Sequence, residues 1–120
     1  MAGTPRVSGL LSSVKELLGI PIATLDFDTQ LVMYINMALG VLHQIGFGTS
    51  DPYLITAIDG SIDDYLPDDE AIRGLVLIYI YTKVRVLFDP PSSAFVLDAL
   101  NSTIAEYEWR LQTYTQSQTV

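Results

Sequence analysis

DDEAIRGLVLIYIYTKVRVLFDPP, residues 68–91, decides how this chain folds. Asp68, Asp69 and Glu70 open the stretch, and Lys83 and Arg85 stand near its close. A helix between them sets anions at the positive end of its macrodipole and cations at the negative end. Ile72, Leu75, Val76, Leu77, Ile78, Tyr79, Ile80 and Tyr81 make it apolar nearly all round, so it belongs at the centre of a bundle. Asp89-Pro90-Pro91 ends it, because proline has no backbone N–H and clashes with the preceding turn. Its uncharged run, Gly74 to Thr82, is nine residues long. A membrane span needs about 20, so the stretch reads as a buried helix of a soluble protein.

Downstream, Ser92 or Ser93 is placed to cap a fourth helix running to about Thr113. Phe95, Val96, Ala99, Leu100, Thr103, Ile104, Tyr107 and Leu111 recur at helical steps and are its expected core stripe. Tyr114 to Val120 lack a pattern and read as a loose tail, or one ordered only by a partner.

Upstream, Phe47 to Leu66 lose the helical period. Gly48, Asp51-Pro52, Asp59-Gly60 and Pro67 punctuate the segment. Tyr53 to Ile58 has strand composition, and Asp59-Gly60 suits a hairpin turn, but the return arm Ser61 to Tyr65 is acidic. A short hairpin and an ordered loop both fit. Earlier still, a second helix starts near Asp26 to Thr29 and runs to Ile45, with Gly46 as its stop. Leu31, Tyr34, Ile35, Ala38, Leu42 and Ile45 form its stripe, and Asp26 and Asp28 suit its N-terminus as caps and anions. A short first helix is capped by Ser13 with Glu16 as a capping box and ends at Gly19 and Pro21. The fold class is mainly α: a small bundle of about four helices, with a long irregular segment or short β-hairpin between helices 2 and 3. Residues 1–120 read as one domain, with 1–8 and 114–120 as flexible tails.

Composition narrows function. With 120 residues, 49% hydrophobic, and no cysteine, the chain can bury one core without disulfides or a thiolate metal site. The N-terminus shows no basic, then apolar, then small-residue pattern, so secretion by that route is not expected. A net charge of −8 makes a poor phosphate binder but a suitable wall past which DNA slides without sticking. A mean hydropathy of +0.33 leaves too few polar residues to cover a lone globule, so apolar area awaits another chain.

The search for chemistry yields little. His43 is the single histidine, with no nucleophile at a motif-like position and no second zinc ligand, and reads as an ordinary surface or core histidine. Asp59, Asp63, Asp64, Asp68, Asp69 and Glu70 cluster in sequence but miss the EF-hand register, so capping and a solvated face account for them. No glycine-rich phosphate loop is present, and Asn101-Ser102-Thr103 is a chance sequon within a helix. An enzyme is not expected, nor a cofactor or metal. Most tyrosines read as core. Trp109 falls out of step with the fourth helix's stripe, beside Arg110, and is the leading interface candidate.

The order of elements carries a resemblance. Ser13-Val14-Lys15-Glu16-Leu17-Leu18-Gly19-Ile20-Pro21 precedes Phe27-Asp28, then Gly46-Phe47-Gly48 and Asp64-Tyr65-Leu66. Lys83-Val84-Arg85-Val86-Leu87-Phe88-Asp89-Pro90-Pro91 follows, and the chain closes on Glu106-Tyr107-Glu108-Trp109-Arg110-Leu111. From Ser13 to Leu111 it resembles the head–tail connector (head-completion adaptor) family of long-tailed bacteriophages. The resemblance implies a non-catalytic helical subunit of a ring, usually of twelve copies, that binds below the portal protein. Such a ring extends the DNA channel and offers a platform to the stopper, neck or tail-completion protein. It also implies a virion component assembled in the host cytoplasm, with DNA passing unbound and no membrane contact. Many relatives carry an aromatic residue, often Trp, before the third helix; here Tyr65 stands in its place. The interface candidates are Trp109, Arg110, Tyr107, Arg85, Asp89 and Tyr65, with Arg85 expected to pair with Asp89 or a neighbouring subunit. The rival readings are a β-rich neck component and a small helical regulatory or partner-binding protein with no catalytic activity.

Overall fold

The computed structural model describes residues 10–47 and 69–117. They form four helices: α1 (Leu10–Leu18), α2 (Asp28–Ile45), α3 (Glu70–Phe88) and α4 (Ala94–Ser117). The mainly helical bundle read from the sequence is what is observed, with no strand among the described residues. The hairpin-or-loop segment lies outside them.

Helix ends follow local chemistry. At the close of α1, Gly19 takes φ +81°, its N–H donates to the Glu16 carbonyl and that of Ile20 to Lys15. The close of α2 repeats this with Gly46 at φ +120°, whose N–H reaches His43 and Leu42, and with the Phe47 N–H on Leu42. Both are Schellman closures, which need a residue tolerant of positive φ. The buried Phe47 supplies the apolar contact that accompanies such a stop, and its ring stacks on Tyr114 with centroids 6.0 Å apart. Asp69 caps α3, one carboxylate oxygen accepting from the N–H groups of Ala71 and Ile72. Ser93 caps α4 more weakly, accepting from Val96 N–H at 3.4 Å.

One hydrophobic cluster draws on all four helices. Leu10, Leu11 and Val14 come from α1, and Leu31, Ile35, Ala38, Leu39 and Leu42 from α2. Val76, Tyr79, Ile80 and Val84 come from α3, and Ile104 and Leu111 from α4. α3 packs on the other three helices, as its all-round apolar character implies, whereas α1 and α4 do not meet. The Phe27 and Phe88 rings meet edge to face with centroids 5.2 Å apart, setting the start of α2 beside the end of α3. At the opposite end, Thr115 Oγ1 donates to the Ile45 carbonyl at 3.0 Å. α2 and α4 therefore run alongside each other in one direction, and α3 runs against both.

Several expectations are corrected. α1 starts at Leu10, so Ser13 lies inside it rather than capping it; the buried Leu10 and Leu11 carry the helix further upstream. Asp28 does not cap α2, whose boundary residue Phe27 makes no side-chain cap hydrogen bond; its carboxylate serves α1 instead. α4 continues to Ser117 rather than Thr113, because Tyr114 and Thr115 are held against Phe47 and Ile45. Its expected stripe is buried in the second half only: Phe95 is 82% exposed, and Val96 and Ala99 are exposed with it. α4 has 24 residues against 18 in α2. With Thr115 level with Ile45, Asp28 falls level with Asp98, and the first four residues of α4 overhang by about 6 Å.

The glycines give a test. Gly46→Ala puts a Cβ where φ is +120°, facing Thr115 Cβ at 3.4 Å, and is expected to cost about 1–3 kcal/mol. Gly40 lies within α2 with nothing within 4 Å of an added Cβ, so Gly40→Ala is expected to stabilise by about 0.5–1 kcal/mol. Urea unfolding midpoints should move in opposite directions.

Candidate functional site

The turn between α1 and α2 is built around one buried cation. The Lys15 side chain is 3% exposed and its ammonium donates to the Ile22 carbonyl at 3.0 Å, the Thr24 carbonyl at 2.6 Å and Asp28 Oδ1 at 2.8 Å. An ammonium has three donors, and all three are used. Two carbonyls of the turn thus face inward onto Lys15, and most of its apolar side chains are left facing out. Ile22, Leu25 and Phe27 are exposed at 55%, 63% and 40%.

These side chains share one end of the bundle with others. The Phe27–Phe88 contact brings in the last turn of α3, where Leu87 is exposed, and the Asp89-Pro90-Pro91 corner leads to the overhang carrying Phe95 and Val96. Ile22, Leu25, Phe27, Leu87, Phe95 and Val96 therefore all lie at one end of the bundle, its apolar end. A shallow recess lined by Glu16, Gly19, Ile20, Pro21 and Ile22 adjoins it. Exposed apolar area gathered in this way, rather than scattered singly, marks an interaction surface.

The residues singled out from sequence are not gathered into one patch. Trp109 is 65% exposed on α4, beside Arg110, which pairs with Glu106 at 2.6 Å one turn earlier. Tyr107 is half-buried and packs on the core. Arg85 and Asp89 stand six and ten residues beyond Tyr79, whose hydroxyl meets Glu108 beside Trp109, so they lie about 9 and 15 Å along the helix axis from it at 1.5 Å per residue. Arg85 and Asp89 are joined through the backbone, Asp89 N–H donating to the Arg85 carbonyl at 2.8 Å, and no side-chain ion pair links them. Asp89 has left helical geometry at the close of α3, so the one-turn spacing no longer sets its carboxylate over Arg85. Tyr65 lies outside the described residues.

His43 is half-buried with its Nδ1 enclosed and without a hydrogen-bond partner among the described residues. No group of three or more His, Asp or Glu side chains gathers among them as for a metal ion, and Asp69 is spent on capping. Tyr79 is fully buried and donates to Glu108 Oε2 at 2.7 Å, while Lys83 reaches the same oxygen at 3.3 Å. Burial, then the Glu108 hydrogen bond and charge, push the Tyr79 phenol well above its usual range. A phenol so held keeps its proton and ties α3 to α4. No helix among the described residues is long and apolar enough to cross a membrane.

The sequence reading missed the apolar end. Its signal was present in Ile20, Ile22, Leu25 and Phe27, apolar residues in a turn where no helical stripe requires them. No curated protein and no solved structure matches the chain. The family model for phage connector protein matches residues 10–118, which takes in all four helices and both surfaces described above. The chain belongs to the phage connector protein family, and is a structural component of the phage particle.

Proposed function

We infer that this connector protein is an adaptor subunit: copies assemble into a ring, of twelve in the form the resemblance implies, that seats below the portal protein. The ring extends the DNA channel and presents a platform to the neck or tail-completion protein. The chain acts as one folding unit without catalysis, and it joins the particle in the host cytoplasm. The observation that carries this reading is the amount of large apolar side chain left outside the core. Trp109, Met33 and Met37 on the flanks and the six residues of the apolar end are all exposed. A subunit that works alone has no use for them, whereas a ring subunit covers its flanks with its neighbours. The acidic balance of −8 suits a channel wall that does not grip DNA.

Trp109, with Arg110 beside it and Tyr107 behind, is proposed as a contact between neighbouring subunits. Arg85 and Asp89 at the proline corner, and Tyr65, are proposed as further contacts. The ring is tested by electron microscopy after mixing the protein with portal-bearing, DNA-filled heads. An added ring at the portal vertex is expected; its absence sinks the adaptor role. Trp109→Ala is expected to reduce attachment about tenfold or more, as loss of an interface anchor does, with unchanged helical circular dichroism. Loss of helicity in that variant would make Trp109 a residue of the fold instead.

A further inference from the structure

The apolar end has a charge pattern that selects its partner. Asp26, Asp89 and Asp98, all exposed, stand around Ile22, Leu25, Phe27, Leu87, Phe95 and Val96, with Arg85 as the cation nearest them in the chain. Two copies meeting end to end would set these carboxylates against their equals. Another face of a second copy serves no better. Among the described cations, Lys15, Lys83 and Arg110 are already tied to Asp28, Glu108 and Glu106, Arg73 is engaged as well, and Arg85 stands at this same end; the whole chain is at −8.

We propose that the apolar end docks a different protein, through an apolar segment of that protein flanked by lysine or arginine. The apolar side chains supply the contact area and the three aspartates its orientation and selectivity, since charge at an interface rim governs partner choice more than affinity. The turn is ready for this without rearrangement. Lys15 pins the Ile22 and Thr24 carbonyls and Asp28, so Ile22, Leu25 and Phe27 are presented before the partner arrives, and little ordering entropy is lost on docking. The proposal deepens the connector reading by giving the chemistry of one partner, and rests on it only in expecting that partner within the particle.

Fluorescence anisotropy on the full chain tests it, with two labelled helical peptides of equal length and apolar face, one of Leu and Lys and one of Leu and Glu. The Leu/Lys peptide is expected to bind about tenfold or more tightly than the Leu/Glu peptide, and Leu25→Ser with Phe95→Ser to weaken it by a similar factor. Both side chains are mostly solvent-exposed, at 63% and 82%, so helicity should be retained. Equal binding of the two peptides, or Leu/Lys binding indifferent to the two substitutions, overturns the proposal. Self-association that the same substitutions abolish overturns it as well, because a second copy is then the occupant. Addition to portal-bearing heads separates this inference from the adaptor role. Rings from a native chain that binds neither peptide remove the docking surface and leave the adaptor. Selective peptide binding by a native chain that adds no ring does the reverse.

Discussion

Lys15→Ala is expected to destabilise the protein by about 3–5 kcal/mol, the range for removing one member of a buried ion pair. The ammonium is enclosed, and its three hydrogen bonds go to three different residues. Without it the Asp28 carboxylate, 10% exposed and with Oδ2 already unpartnered, is left as an isolated buried charge. The Ile22 and Thr24 carbonyls lose their donor in the same step. Asp28→Asn should cost less, about 1–3 kcal/mol, because the two carbonyl bonds survive and no bare anion is created. Replacing both, with Lys15→Met and Asp28→Leu, should recover part of the single-mutant loss, since an apolar pair of similar volume substitutes tolerably for a buried ion pair. Urea unfolding followed by circular dichroism measures all three. A Lys15→Ala chain within about 1 kcal/mol of the native, the scale of a solvated surface pair, would show that the ammonium is not enclosed.

The second large effect is at Tyr79, the bulkiest of the fully buried side chains. Tyr79→Ala empties a site between α3 and α4 and should cost about 3–5 kcal/mol, as large-to-small changes of aromatic residues do. Tyr79→Phe keeps the ring and its place under the Lys83 ammonium, 5.8 Å from the centroid. It removes only the hydrogen bond to Glu108, worth about 1.5–3 kcal/mol when the acceptor is charged. The phenol also carries a pH signature. Its folded pKa is raised, so in alkali the unfolded chain releases this proton while the folded chain retains it. The contribution is fully present below the unfolded value near 10 and declines above it, by up to about 1.4 kcal/mol per pH unit. Unfolding midpoints of native protein and Tyr79→Phe, compared across alkaline pH, isolate it. The native chain should lose stability faster, and parallel curves would place the phenol in water.

The residues that punctuate the helices could be read without the structure because their effects are local. Gly46 stops α2 and Asp89-Pro90-Pro91 stops α3 where expected, since positive φ and a missing N–H act within one turn. Asp69 was in the right place for the same reason. What misled was stripe counting on α4. Phe95, Val96 and Ala99 keep step with Ile104 and Leu111, but periodicity says only that residues share a face, not whether anything lies opposite. Leu39 was overlooked for the converse reason, being off the stripe of α2 yet fully buried because α2 meets α1, α3 and α4 and is covered on more than one side. The candidate surface divided in the same way. Trp109 could be found from one helix alone, whereas the apolar end is made by a turn, a helix end and an overhang that only folding brings together.

By itself, the sequence determined that this chain is helical, where most of its helices stop, that α3 is central, and that the chain is rich in apolar residues and poor in charged ones. These follow from propensity, caps, proline and composition, which act over a few residues or over the whole chain at once. The tertiary structure alone decided that Lys15 and Asp28, thirteen residues apart, share a buried bond, and that Tyr79 spends its hydroxyl on Glu108. It also decided which apolar residues stay outside. That outcome depends on α4 being longer than α2 and level with it at the far end, a relation between two helices that neither helix encodes alone.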